Sequence, residues 1–142
     1  MISLIQLEPR YAETDQMGII HHSNYAIYYE MGRVQFCKDM GVPFDMIEKR
    51  GLRLALTKIK SQFKKPLLFG HMYQLHTKLI SFSKVKMTFK YMIIDESNDV
   101  MHIGYTDLAW LNQELKPVNM FKYDETLYQI FKHVEENEDE ED

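Results

Sequence analysis

Cysteine is nearly missing from this chain. Cys37 is the one thiol in 142 residues, so no disulfide can close within it, and a reducing cytoplasm is the expected compartment. Long apolar runs are missing as well: no stretch of about 18 apolar residues exists to span a bilayer as a helix. The opening Met-Ile-Ser-Leu-Ile-Gln-Leu-Glu has neither a basic leader nor a small-residue cleavage site, so it reads as part of the fold rather than as a secretory signal. Glycine (6) and proline (4) are sparse, and none of them builds a Walker-type loop, a dinucleotide loop or a Gly-x-Ser-x-Gly elbow. His71 and His76 are five apart and would face opposite sides of a strand. His21 and His22 are adjacent, with no cysteine or acidic partner to complete a zinc spacing. Neither a metal nor any other cofactor is expected.

What is present suffices for one domain. Hydrophobic residues make up 45% and aromatics 13%, ample for a core at this length. The formal charge of −4 is concentrated at one end. Residues 135–142 hold seven of the 21 acidic residues, leaving 14 against 17 basic ones, a net +3 elsewhere. A like-charge block of that kind is expected to be a disordered, solvated tail after a domain over residues 1–134. It also argues against nucleic acid as a partner. Cys37, on an apolar segment, reads as core packing.

The chain is organised around residues 13–25, Glu-Thr-Asp-Gln-Met-Gly-Ile-Ile-His-His-Ser-Asn-Tyr. Ser23 and Asn24 stand immediately before an apolar run over 25–40, which predicts a helix capped at that point. Gly41 and Pro43 stop it. The apolar arc of this helix is wide, so much of its circumference should be covered. A loop bearing Asp15 thus leads into the positive end of a helix, where unpaired N–H groups suit an oxyanion. A carboxylate beside them can serve as general base or nucleophile on a polarised carbonyl. The same residues are also ordinary turn material: Asp15 suits an Asx turn, and the histidines suit capping.

Before the motif, residues 2–11 alternate as a strand that Pro9 ends. After the long helix, residues 44–50 form a short helix closed by Gly51. From Leu52 the period becomes two: Leu52, Leu54 and Leu56, then Ile59 and Phe63 among lysines. A turn at Pro66 and Gly70 precedes a strand over 72–82, then one from Val85 to Ile93. A polar turn over 95–99 leads to a long strand over 100–111 containing Trp110. This is the alternation of an antiparallel sheet with one face on a core. Asp124 caps a last helix reaching about His133. The class is α+β, with a single long helix against one curved sheet.

The motif Thr14-Asp15-x-x-Gly18-Ile-Ile-x-His22-x-Asn24-Tyr25, followed by Tyr29-Glu30-x-x-Arg33, resembles the signature of the hotdog-fold acyl-CoA thioesterases. The nearest subgroup is the 4-hydroxybenzoyl-CoA thioesterase type with its Tol-Pal-associated members. Phe63-x-x-Pro66 and Gly70 resemble the family's second-strand turn, although His71 stands where an acidic residue is commoner. The resemblance runs through residues 4–132. It implies that Asp15 is the catalytic carboxylate, that the N–H of His22 is the oxyanion donor and that the His22 side chain assists. It also implies a homodimer with sites at the interface, often assembled further into a homotetramer, acting on an acyl-CoA or acyl-carrier-protein thioester.

Other residues carry weaker signals. Gly18 suits close approach to the acyl chain or a plain turn. Asn24 suits hydrogen bonding that holds the loop, and Tyr25 suits the core or the acyl site. Glu30 and Arg33, at i and i+3, are spaced so that they could pair on the helix, and they read as structural or as part of a subunit contact. Lys64 and Lys65, with Lys58 and Lys60 upstream, could meet the phosphates of coenzyme A, or keep a sheet edge solvated. Two rival functions stand beside hydrolysis. An enoyl-thioester hydratase or dehydratase of this fold carries Asp and His five apart, whereas Asp15 and His22 are seven apart. A non-catalytic acyl-thioester-binding module would not need Asp15.

Overall fold

A computed structural model describes residues 1–141, and side chains as far as Glu135. Five strands form one antiparallel sheet in the order β1-β3-β4-β5-β2: β1 Ile2–Leu7, β2 Arg53–Phe63, β3 Tyr73–Phe82, β4 Lys86–Ile94 and β5 Val100–Leu111. The long helix α1, Tyr25–Asp39, lies against the inner face, and the short α2, Phe44–Lys49, follows it. The remaining helices are α3, Met120–Tyr123, and α4, Glu125–Glu141. One helix laid on a curved sheet is the hotdog arrangement that the motif implied.

Glycines at positive φ terminate both early helices. Gly41 (φ +84°) follows α1, where its N–H donates to Lys38 O and that of Val42 to Cys37 O. Gly51 (φ +81°) closes α2 in the same way, with Leu52 N–H reaching Ile47 O. These crossed bonds use carbonyls that a helix end otherwise leaves orphaned, and only glycine takes that backbone without a Cβ clash.

The buried stripe on α1 is Tyr25, Tyr28, Tyr29, Gly32, Arg33, Phe36 and Cys37, the spacing of a single helix face. Broader cover of the helix was expected, and the structure corrects this: Ile27 and Met31 on the far side are exposed. A sheet can cover only the side it packs on. The closest approaches are made possible by absent side chains. A Cβ on Gly104 of β5 would meet the Tyr29 ring at 2.2 Å, and one on Gly32 would meet Thr77 Oγ1 at 2.3 Å.

Arg33 and Glu30 do not pair. Arg33 is buried and donates from Nη1 to the Tyr91 hydroxyl (3.2 Å), while Glu30 faces solvent. Helical spacing allowed the pair, but the stripe pulls Arg33 inward. The hydrophobic phase of β2, on even numbers to Leu56 and on odd from Ile59, is explained by a β-bulge between Leu56 and Lys58. Asp124 caps α4, its Oδ1 accepting from Leu127 N–H (3.1 Å). Leu127 and Phe131 of α4 are buried, and Phe131 packs on Trp110 and Phe82.

α4 continues to Glu141, past the expected end near His133. Lys132 Nζ meets Glu135 Oε1 one turn on (3.3 Å), and glutamate favours the helix. The expectation of a disordered tail over 135–142 falls mostly on residues beyond the described side chains, and on Asp142, which is not described.

Candidate functional site

Three segments converge beside the start of α1. The first is the loop over residues 13–20. It folds back on itself through Asp15 N–H to Ile19 O (2.8 Å) and Gly18 N–H to Asp15 O (3.1 Å). Asp15 Oδ1 accepts from Met17 N–H (2.8 Å), an Asx turn, and at longer range from Ile19 N–H (3.4 Å). The other carboxylate oxygen takes no hydrogen bond from the protein among the described residues. Gly18 sits at φ +81° with open space where a Cβ would be, and it lies outside the group that lines the cleft described below.

The second segment is the helical turn His22–Asn24, which leads directly into α1. Its cap corrects the sequence reading. The His21 side chain does the capping, its Nδ1 accepting from Ser23 N–H (3.1 Å), whereas Asn24 makes no capping bond. The Asn24 amide turns back instead and donates to Glu13 O (3.0 Å) and His21 O (3.1 Å). Along this turn His21 N–H donates to Glu13 O, Asn24 N–H to His21 O and Tyr25 N–H to His22 O. With Ser23 spent on the cap, the N–H of His22 is the one in this turn without a partner among the described residues. It stands at the positive end of the helix assembly.

Glu13 joins the two segments, and the sequence reading passed over it. Its carbonyl receives His21 N–H and the Asn24 amide. Its buried carboxylate accepts from Arg10 N–H (2.8 Å), the Tyr28 hydroxyl of α1 (2.8 Å) and Arg10 Nε (3.2 Å). Burial alone would raise its pKa, but these hydrogen bonds and the Arg10 charge outweigh burial and hold it below the ordinary carboxylate value. A glutamate three residues after Arg10, closing the short helical turn Tyr11–Glu13, is the one signal the sequence offered.

The third segment is the end of β2 and the turn beyond it. Lys64 and Lys65 both donate their N–H to Met101 O, and Ile20 N–H reaches Leu67 O. Together the segments enclose a cleft of about 330 Å³. Asp15, Met17 and His22 line it from the motif side, Tyr25 and Ile20 from beneath, and Phe63, Lys64, Lys65 and Pro66 from the strand side. Of the expected site residues, Asp15, His22, Tyr25, Lys64 and Lys65 therefore share one cleft, with Asn24 bracing it from behind.

The lysine cluster divides. Lys58 and Lys60 lie on the opposite face of the sheet with Tyr105 and Asp107, too far round to join Lys64 and Lys65. Lys64 and Lys65 lie beyond the end of β2, where the chain turns and both N–H groups bond to Met101 O. Lys65 Nζ stands 3.6 Å from Asp99 Oδ2, a solvent-exposed pair of little energetic weight. Cys37 is buried and its thiol is pushed up to about 12, which makes it inert packing.

The fold has counterparts among known proteins. The family model described as the thioesterase-like superfamily matches residues 9–129. YneP of Bacillus subtilis (strain 168), whose name gives it provisionally as an acyl-CoA thioesterase, is 35% identical over 85% of this chain and 88% of its own. ATL3 of Arabidopsis thaliana, a chloroplastic acyl-acyl carrier protein thioesterase, is 26% identical over 82% of this chain and 62% of its own. Among solved structures, DHNA-CoA thioesterase from Staphylococcus aureus superposes with a TM-score of 0.93 at 27% identity, covering 99% of this chain and 95% of its own.

Proposed function

The chain belongs to the thioesterase-like superfamily, and from that premise we propose an acyl-CoA thioesterase in which Asp15 and the N–H of His22 act on one carbonyl. The thioester enters the cleft with its carbonyl oxygen toward the His22 N–H. The unbonded Asp15 oxygen attacks the carbonyl carbon, or takes the proton of a water that does so. Charge developing on the carbonyl oxygen meets a fixed donor at a helix start, an interaction worth about 2.7–4 kcal/mol to the transition state. The C–S bond breaks and the thiolate leaves, taking up a proton; on the base route the free acid forms at once, and on the nucleophile route water then hydrolyses the acyl–Asp15 anhydride to the free acid and the aspartate. Water is the only co-reactant, so neither a metal nor a cofactor is called for. The His22 side chain, at the cleft wall, orients the water or the carboxylate. Lys64 and Lys65 offer positive charge to the phosphates of coenzyme A.

One observation carries this reading. An aspartate with one oxygen tied down and one free lines the same cleft as His22, whose N–H is the unbonded one in its turn. The proposal also takes the chain, within the superfamily, as one of the 4-hydroxybenzoyl-CoA type with its Tol-Pal-associated members, on the support of the motif's resemblance to theirs. The proposal includes the cytoplasm as compartment, in keeping with one free cysteine. Among the described residues no helix is long and apolar enough to cross a membrane. It also includes a homodimer, assembled further into a homotetramer, with β2 at the first interface. The support is that β2 is an edge strand, exposed from Thr57 to Phe63.

The test is free-thiol release from short, long and aromatic acyl-CoAs and from an acyl-carrier-protein thioester. We expect turnover of at least one class by the wild type. Asp15→Asn should lose at least about 100-fold in kcat, a general-base or nucleophile effect, while remaining folded. Wild-type rates surviving in Asp15→Asn would remove Asp15 from the chemistry.

A further inference from the structure

His102, which the sequence reading did not single out, lies directly behind the cleft wall. It is the inward-facing cross-strand partner of Phe63 and is wholly buried. Its imidazole stacks on Tyr25 with ring centres 4.2 Å apart, and Phe63 covers it edge-on at 4.7 Å. Tyr25 and Phe63 both line the cleft. Nε2 is 2.5 Å from the Tyr29 hydroxyl, which is 2.6 Å from Ser61 Oγ. Nδ1 is buried and has no partner among the described residues. A buried polar nitrogen left empty is a standing cost, which a ligand group can relieve.

The chemistry of that nitrogen is restricted. Burial pushes the His102 pKa down to about 4, so the ring is neutral near pH 7, with one donor and one acceptor nitrogen. The Tyr29 and Ser61 hydroxyls can each turn, so Nε2 is satisfied in either tautomer. Nδ1 is then free to donate to a ketone or to accept from a hydroxyl. A carboxylate is disfavoured, because it would shed its hydration among aromatic rings. Phe63 is the movable cover. It is the last residue of β2, and turning it away from the imidazole gives up its edge-on contacts with His102 and Tyr25.

We propose that His102, backed by the Tyr29 hydroxyl, forms a polar subsite at the inner end of the acyl cleft that hydrogen-bonds an un-ionised oxygen, hydroxyl or ketone, on the acyl group. This rests on the thioesterase reading of the cleft and adds a determinant of acyl selectivity to it. The residue acts on which acyl group is held and takes no part in bond breaking.

The experiment uses pairs of CoA thioesters with the same carbon skeleton, with and without a distal hydroxyl or ketone. The wild type is compared with His102→Leu, His102→Gln and Tyr29→Phe, each checked for folding by circular dichroism. Non-hydrolysable thioether analogues of the same pairs are titrated by calorimetry. We expect the wild type to prefer the oxygen-bearing member by about tenfold, the scale of one neutral hydrogen bond to a buried group. The ratio should fall to near one in His102→Leu, recover in part in His102→Gln and shrink in Tyr29→Phe. If His102→Leu does not fold, the other two variants read the same ratio. A wild-type ratio near one, as when a trapped water fills Nδ1, overturns the subsite, as does a ratio that no variant changes. If no thioester turns over but the thioethers keep the preference, the subsite stands and the hydrolase reading falls.

Discussion

Glu13, Tyr28 and His102 show how much single buried polar atoms govern this site. Tyr28→Phe removes one of the donors to the Glu13 carboxylate and leaves the rest of the clamp in place. A loss of about 1–3 kcal/mol is expected, read from urea unfolding, because a buried acceptor loses a partner. No loss would mean that water replaces the hydroxyl. His102 gives a pH dependence. The unfolded chain binds its proton near 6.5, the folded chain only near 4, so acid favours unfolding between those values. Stability should fall by something on the order of 3 kcal/mol from pH 6.5 down to 4. In His102→Leu that part of the slope should vanish. Glu13 works in the same sense lower down: its pKa is held below the ordinary carboxylate value, so its contribution is lost as pH falls further. Asp15 and His22 were legible as neighbours at one cleft because both belong to a single short stretch of the chain. The bonds of Glu13 to Tyr28 and of His102 to Tyr29 were not, since they join distant elements; only the Arg10–Glu13 spacing was local.

At the scale of elements, α1 is placed by what the sheet omits beneath it. Gly104→Ala sets a methyl against the Tyr29 ring, at 2.2 Å before relaxation. The expected cost is about 1–3 kcal/mol for overpacking, measured by thermal unfolding, with the Tyr29–His102 hydrogen bond displaced. Unchanged stability would show that α1 can lift from β5 freely. Strands and helices themselves followed from pattern. The period-two run, the stops at Gly41 and Gly51 and the cap at Asp124 all stand in the structure. The bulge after Leu56 was written in the sequence as a change of phase from even to odd positions. Arg33 proves structural, as expected, but through Tyr91 rather than Glu30, because helical spacing allows that pairing without saying which face the sheet covers.

For the whole molecule, the unpaired edge of β2 is a feature that asks for a partner. Ile59 is 45% exposed, and Leu56 and Phe63 are exposed beside it, whereas long apolar edges are usually blunted or covered. Sedimentation is expected to show two or four chains, and Ile59→Asp should shift the population toward single chains. A wild-type monomer at micromolar concentration would remove β2 as an interface.

What the sequence determined by itself was local: the turn that presents Asp15, the helix that follows it, the alternating strands and the glycines that end the helices. These depend on residues within a few positions of one another, so periodicity and backbone preference specify them. Tertiary structure decided everything that joins distant positions. It chose His21 over Asn24 as the cap and turned Asn24 back to Glu13. It sent Lys58 and Lys60 to the far face, and it set His102 behind Tyr25 and Phe63. Those outcomes depend on sheet register and on which side of α1 the sheet covers, and no stretch of residues encodes either one alone.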